Sequence, residues 1–141
     1  MSSKFVLIYF LLAMMMASCG SGTKAIVTPR HDFALKLKEQ ARFENLSITL
    51  KEVAESRCPL NANCVRAGEA VAVLNVVAGG TSERNIQLCT GPDCSRRGLS
   101  ETYPLSVNDH KYLFKLDSIT PDPTKTVERA ETRVYFSITA Q

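Results

Sequence analysis

The sequence predicts an all-β protein, a single antiparallel β-sandwich of about seven strands, with a small β-barrel as the alternative. The main observation is that apolar and polar residues alternate along six short segments, so each segment has one apolar and one polar face. A further segment, residues 65–78, is apolar on both faces and predicts a central strand. Glycine, proline, asparagine and aspartate separate the segments, which is typical of turns between antiparallel strands.

The six alternating strands are predicted by apolar residues that recur at every second position. These residues are Phe33, Leu35 and Leu37; Leu46, Ile48 and Leu50; Ile86 and Leu88; Tyr103, Leu105 and Val107; Tyr112, Phe114 and Leu116; and Val134, Phe136 and Ile138. The turns between strands are predicted at residues 79–82, 91–93, 108–109 and 121–123. A short helix is predicted only near residues 127–131.

The first residues have the features of a bacterial secretory signal. Lys4 precedes the mostly apolar residues 5–17, which are fewer than the roughly 20 residues that a spanning helix needs. Residues 1–18 are therefore predicted to be a signal peptide. The stretch Met16-Ala17-Ser18-Cys19 resembles the lipobox of bacterial lipoproteins, in which the cysteine receives lipid and becomes the mature N-terminus.

The lipobox resemblance implies both a domain organisation and a location. Residues 19–32 would be the lipidated cysteine and a flexible tether, and residues 33–141 would be the β-sandwich domain. The lipid on Cys19 would hold the protein on a membrane without any segment of the chain crossing it. Gly20 stands where some lipoproteins carry an aspartate for inner-membrane retention, so the outer membrane of the bacterial cell envelope is the expected location.

The charges of the chain are nearly balanced, with a formal net charge of +3 at pH 7. Basic residues do not cluster along the sequence, which argues against nucleic acid as a partner. The basic doublet Arg96-Arg97 is interpreted as part of a solvated loop.

Four cysteines remain once Cys19 is assigned to lipid, and an even number in an exported chain predicts disulfide bonds. If residues 65–78 and 83–90 form a hairpin, Cys64 and Cys89 lie too far apart to form a disulfide bond. The favoured pairs are therefore Cys58 with Cys64 and Cys89 with Cys94. A bridge between Cys64 and Cys94 is the second choice.

The four cysteines fit two other kinds of chemistry less well than they fit disulfide bonds. A zinc site would suit a reducing compartment better than an exported domain, and the cysteine spacings fit zinc only loosely. A redox pair would normally have two intervening residues beside a βαβ unit, and the sequence has neither. The sequence therefore predicts no metal and no cofactor.

Residues 55–74, ESRCPLNANCVRAGEAVAVL, carry a second resemblance. They are similar to a segment of many uncharacterised bacterial secreted proteins and lipoproteins, in which Ser-Arg-Cys-Pro precedes a short loop and then Cys-Val-x-Ala-Gly. The matching residues are Ser56, Arg57, Cys58, Pro59, Cys64, Val65, Ala67 and Gly68. The resemblance implies an extracytoplasmic β domain whose first cysteine loop is bridged, and it implies no known activity.

Two further residues are candidates for function. Arg57 could present its guanidinium to a ligand carboxylate beside the first cysteine loop, although pairing with Glu55 or Glu69 on the same surface is the favoured interpretation. Ser118 lies in Asp117-Ser118-Ile119, which resembles the acceptor motif for O-linked glycans on exported proteins of one bacterial group.

The sequence contains no recognisable catalytic motif. It has two histidines, His31 in the predicted tether and His110 in a predicted turn, and no serine in a nucleophile elbow. We therefore expect a non-catalytic, membrane-tethered domain that binds a protein or glycan partner, or has a structural role, in the cell envelope. The alternative is a protease-inhibitor-like module, or an enzyme with an unrecognised site, on the disulfide-bonded loops. The oligomeric state is left open.

Overall fold

The structure is a computed structural model that describes residues 29–141. It confirms the predicted β-sandwich, because eight strands form two antiparallel four-stranded sheets that do not close into a barrel. The strands are β1 (Arg30–Lys36), β2 (Gln40–Phe43), β3 (Leu46–Glu55), β4 (Ala70–Ala78), β5 (Ser82–Thr90), β6 (Thr102–Val107), β7 (His110–Thr120) and β8 (Arg133–Ala140). The predicted signal peptide, Cys19 and the first part of the predicted tether lie outside the described residues.

The first sheet has the strand order β1-β8-β7-β6, and the second has the order β2-β3-β4-β5. Strands β3 to β5, and likewise β6 to β8, pair with their neighbours in sequence. The chain changes sheet between β1 and β2 and again between β5 and β6. At the first change Lys38 has a left-handed backbone with φ of 67°, and its N–H donates to the carbonyl of Leu50 at 2.8 Å.

The core lies between the sheets and consists of the residues that the alternation directs inward. Full burial of a large apolar side chain contributes about 1.5–3 kcal/mol. The largest fully buried side chains are Tyr112, Phe114, Phe136, Leu46, Ile48, Leu50, Leu74, Ile86, Leu88, Ile119, Ile138 and Val76. A β-bulge in β7 lies between Leu116 and Ser118 and allows both Leu116 and Ile119 to face the core.

Several element predictions were wrong in detail. β2 was missed because it is short and has only Ala41 and Phe43 as apolar residues. β4 begins at Ala70, so residues 65–69 form a loop, and β1 begins at Arg30, so part of the predicted tether belongs to the sheet. Residues 127–131 form no helix, since so short a segment cannot offset the free energy of helix nucleation.

The two ends of the sandwich differ. At the turn end, defined as residues 44–45, 79–81 and 108–109, the strands are joined by tight turns. At the stapled end, defined as residues 56–69, 91–101 and 121–132, the connections are longer and hold three of the four cysteines of the domain. The N-terminal strand starts at the turn end, because Arg30 pairs with Thr139 of β8, which pairs in turn with Leu113 near the start of β7.

Candidate functional site

The two favoured disulfide bonds are confirmed. Cys58 is bonded to Cys64 and Cys89 to Cys94, each with a Cα–Cα distance of 5.8 Å. Cys89 lies opposite Val71 in the β4–β5 hairpin, which keeps it away from Cys64 as predicted. Both bridges belong to the stapled end, so the structure brings all four predicted disulfide residues to one end of the sandwich.

The first cysteine loop, residues 56–69, is closed at its base by backbone hydrogen bonds. Ser56 N–H donates to the carbonyl of Glu69 at 2.8 Å, and Cys58 N–H donates to the carbonyl of Ala67 at 2.9 Å. The loop also contacts the β7–β8 connection, because Leu60 N–H donates to the carbonyl of Pro123 at 2.7 Å. Most of its side chains are exposed, so polar contacts rather than burial determine the conformation of this loop.

Gly68 is the residue that allows the first cysteine loop to close. Its φ of +80° is left-handed, and a Cβ on it would lie 1.9 Å from the carbonyl oxygen of Ser56. Gly91 has a similar role, because a Cβ there would lie 2.8 Å from the carbonyl oxygen of Gly68. Asp93 completes the junction, since its carboxylate accepts from Gly68 N–H at 2.9 Å. The two cysteine loops therefore contact each other backbone to backbone.

The second cysteine loop, residues 91–101, contains a 3-10 helix at Cys94–Arg97 that ends at Gly98. Its disulfide is buried and packs with Val71 and Leu99 against the outer face of the second sheet. This small cluster is separate from the main core. It buries Val71 of β4, whereas Val73 and Val77, which share the outer face of this strand, are partly exposed.

The side chain of Arg57 is directed into the protein. Its side chain is only 8% exposed, and its Nε donates to both carboxylate oxygens of Glu55, at 2.8 and 3.1 Å. The Nη2 group also donates to the carbonyl of Ile119 at 3.1 Å, and Nη1 lies 3.3 Å from Asp122. Its guanidinium joins the first cysteine loop to the β7–β8 connection, and ligand binding by Arg57 stays a prediction. The favoured interpretation was pairing with Glu55 or Glu69; the structure pairs Arg57 with Glu55, and Glu69 with Arg97.

The contacts around Arg57 and Asp122 favour the charged forms of both side chains. The hydrogen bonds to Glu55 raise the pKa of Arg57 against the opposing effect of burial, and the charges of Glu55 and Asp122 add to the increase. Burial alone would raise the pKa of Asp122. Hydrogen bonds from Thr124 and the charge of Arg57 outweigh that effect, so the pKa of Asp122 is lower than usual.

A groove of about 530 Å³ lies between the two cysteine loops. It is lined by Ser56, Cys64, Val65, Arg66, Gly68, Glu69, Asp93, Arg96 and Arg97. The two carboxylates point inward: the side chains of Glu69 and Asp93 are 10% and 15% exposed, whereas those of Arg97 and Arg96 are 56% and 65% exposed. The exposed charged groups of the groove are therefore its guanidinium groups, and the groove is the candidate functional site.

Sequence reasoning missed this groove. The doublet Arg96-Arg97 was interpreted as a solvated loop, and Arg66 was placed in a strand. Arg66 lies in an exposed loop, and the exposed Arg96 and Arg97 end the 3-10 helix of the second cysteine loop; the contact between Gly68 and Gly91 brings them to the same groove. The signal that could have found it was a basic residue close to a cysteine in each loop.

The remaining candidates lie elsewhere. Ser118 is partly buried in β7 opposite Tyr135, and its glycosylation stays a prediction. His31 belongs to β1, not to a tether, and packs near Phe43, while His110 begins β7, so both histidines are at the turn end, away from the groove. Within residues 29–141, no group of three or more histidine, cysteine, aspartate or glutamate residues is arranged to hold a metal ion.

Comparison with known proteins gives no relative from which to transfer a function. The chain matches no protein-family model, no curated protein and no solved structure. Among the described residues, no helix has the length and apolar character needed to cross a membrane. The lipobox and the resemblance of residues 55–74 therefore stay predictions.

Proposed function

We propose that this chain is a lipid-anchored, non-catalytic protein of the bacterial cell envelope that presents its stapled end to a protein or glycan partner. The observation that supports the proposal most is the position of β1. Because Arg30 lies at the turn end, an anchor that precedes it would attach at that end of the sandwich. The groove and both cysteine loops lie at the opposite end.

The length of the chain between Cys19 and Arg30 fits this arrangement. It spans at most about 40 Å when fully extended, which is comparable to the length of the longest strand of the sandwich, roughly 35 Å. A lipid on Cys19 would hold the turn end nearer to the membrane. The stapled end would then face away from it, where a partner could reach it.

The rigidity of the stapled end also supports a binding role. Closing each short ring with a disulfide contributes roughly 2 kcal/mol in the chain-entropy model. The contacts among Ser56, Gly68, Gly91 and Asp93 fix the two loops relative to each other. A surface that is already ordered loses less conformational entropy when a partner binds.

The anchoring part of the proposal is tested on protein purified from membranes of the native host. Mass spectrometry of the N-terminal peptide should show an acylated Cys19, and a Cys19→Ala variant should lose the modification and leave the membrane fraction. A Thr23→Ala variant, outside the lipobox and with Cys19 intact, serves as a matched control. An unmodified Cys19 in native material would contradict the anchoring.

The binding part is tested by photo-crosslinking in intact cells. A photo-reactive side chain replaces Val65 at the stapled end or, as a control, Asp109 at the turn end; both positions are exposed. We expect a discrete crosslinked product from position 65 and none from position 109. The same products from both positions, or none from either, would contradict presentation of the stapled end.

A second candidate function is protease inhibition, and one observation favours it. Val65 is fully exposed and precedes the exposed Arg66, directly after the bridged Cys64, in a loop clamped at its base. An exposed, rigid segment of this kind could occupy a protease that cleaves after basic residues. Inhibition of such a protease by the wild type and its loss in Arg66→Ala would support this function. No inhibition across a broad protease panel would exclude it.

A further inference from the structure

In the groove between the two cysteine loops, the carboxylates are buried and the guanidinium groups are exposed. Glu69 and Asp93 are largely buried and are held by internal partners, Arg97 at 2.8 Å and the N–H of Gly68 at 2.9 Å. Three arginines, at positions 66, 96 and 97, line the same groove and are exposed. A molecule that entered the groove would therefore meet guanidinium groups before it met carboxylates.

The guanidinium groups keep unused hydrogen-bond donors. Each guanidinium has five N–H donors, and Arg97 uses Nη1 for Glu69 while Arg96 uses Nε for Asp93. Among residues 29–141, Arg66 forms no side-chain hydrogen bond or ion pair. A planar guanidinium matches the two oxygens of a carboxylate, so this set of donors favours a carboxylate ligand.

An apolar residue lies beside these cations. Val65 is fully exposed and lines the groove next to Arg66. Covering an exposed valine with an aliphatic side chain removes apolar surface from water, which favours association. The groove therefore combines acceptance of carboxylates with one aliphatic contact, and a polypeptide that carries acidic and aliphatic residues in sequence provides both.

We infer that the groove binds an acidic peptide segment of a partner protein, with the carboxylates of the segment on Arg66 and Arg96 and an aliphatic side chain on Val65. This inference rests on the proposed function and names the partner class for the same end of the molecule. A lipid surface is disfavoured because the groove lies opposite the end where β1 starts. Nucleic acid is disfavoured because its binding draws on many phosphate contacts, and the chain has a net charge of only +3.

The test measures fluorescence anisotropy of labelled probes with the full mature protein, its disulfides intact. The first probe is a short peptide of alternating aspartate and leucine, and the second is the same peptide with asparagine in place of aspartate. Vesicles of phosphatidylglycerol are the third probe. The variants are Arg66→Gln, Arg96→Gln and, as a matched control, Arg84→Gln, which changes an exposed arginine of β5 away from the groove.

We expect the aspartate peptide to bind at least about tenfold more tightly than the asparagine peptide, and each groove variant to weaken its binding about tenfold. Arg84→Gln should change affinity by less than about twofold. Equal affinity for the two peptides, equal losses in all three variants, or binding to vesicles alone would overturn the inference. So would self-association through Val65 without peptide binding.

The outcomes also separate this inference from the proposed function. A crosslink from position 65 in cells, together with no binding of the aspartate peptide, would overturn the acidic-peptide inference and leave presentation of the stapled end intact. Absence of both would contradict both. A circular-dichroism spectrum identical to wild type for Arg66→Gln would show that any loss of binding is not a loss of folding.

Discussion

The two cysteine loops lie side by side at the stapled end, yet they are held in different ways. The bridge between Cys89 and Cys94 is buried and forms, with Val71 and Leu99, a small apolar cluster separate from the main core. The first cysteine loop has a more exposed bridge and is held by backbone hydrogen bonds and by Arg57. One loop is thus stabilised by burial and the other by directional polar contacts.

This difference matters for function because the two loops form opposite walls of one groove. Burial fixes the second loop on the sheet, so Arg96 and Arg97 project from a rigid base. The first loop can leave Val65 and Arg66 exposed because its conformation does not depend on burying them. A surface for recognition needs such exposed side chains on an ordered backbone.

The largest expected effect is at the junction of the two loops. Gly68→Ala should destabilise the protein by about 4 kcal/mol or more, because the new Cβ would overlap the backbone of Ser56 at 1.9 Å. Gly80→Ala is a matched control, since Gly80 has nearly the same φ, +78°, with no atom within 4 Å of a Cβ. It should lose about 1 kcal/mol for the backbone strain alone. Urea unfolding of the two variants measures the difference, and equal losses would show that the close approach is unimportant.

The next effect compares the two bridges directly. Replacing Cys89 and Cys94 together by alanine should destabilise the domain by about 3–4 kcal/mol, because ring closure and buried packing are both lost. The same replacement of Cys58 and Cys64 should lose only about 2 kcal/mol, since their bridge is more exposed. Thermal unfolding without reductant measures both. If the Cys58 and Cys64 variant were the less stable of the two, burial would not be what distinguishes the loops.

A smaller effect is expected at the polar contacts of the first loop. Arg57→Met should destabilise the protein by about 2–3 kcal/mol, because it removes the buried cation that pairs with both Glu55 and Asp122. Lys36→Met is the control, since it removes an ion pair with Glu131 in which both side chains are exposed, and it should change stability by less than about 0.5 kcal/mol. Urea unfolding gives the comparison. Limited proteolysis should show faster cleavage within residues 56–69 in Arg57→Met alone, and unchanged cleavage there would contradict a positioning role for Arg57.

The sequence was sufficient for the sandwich and the local disulfides because both depend on short-range patterns. Alternation with period two identifies strands, and small cysteine spacings favour local rings. The groove could not be predicted in the same way. It depends on the approach of Gly68 to Gly91, which brings Arg66 near Arg96, and neither glycine differs in sequence from an ordinary turn residue. The inward direction of Arg57 likewise depends on Ile119 and Asp122, which another part of the chain supplies.

The smallest expected effect is a pH dependence of the stability of the first cysteine loop. The pKa of Asp122 is lowered by Thr124 and Arg57, so its contribution to stability is complete above about pH 5 and is lost as the pH falls below about 4. Asp122→Asn should therefore lower the free energy of unfolding by about 1 kcal/mol at pH 7, and by progressively less as the pH falls below about 4.

Urea unfolding between these pH values tests this last expectation, with Glu131→Gln as the control. Glu131 also has a pKa lowered by its hydrogen bond with Lys36, but it is exposed to solvent, so its variant should follow the wild-type profile more closely. Hydrogen exchange should locate the acid effect in residues 56–69 and leave the buried second loop protected. Equal loss of protection in both loops would mean that acid weakens the whole sandwich, and that the two loops do not differ in how they are held.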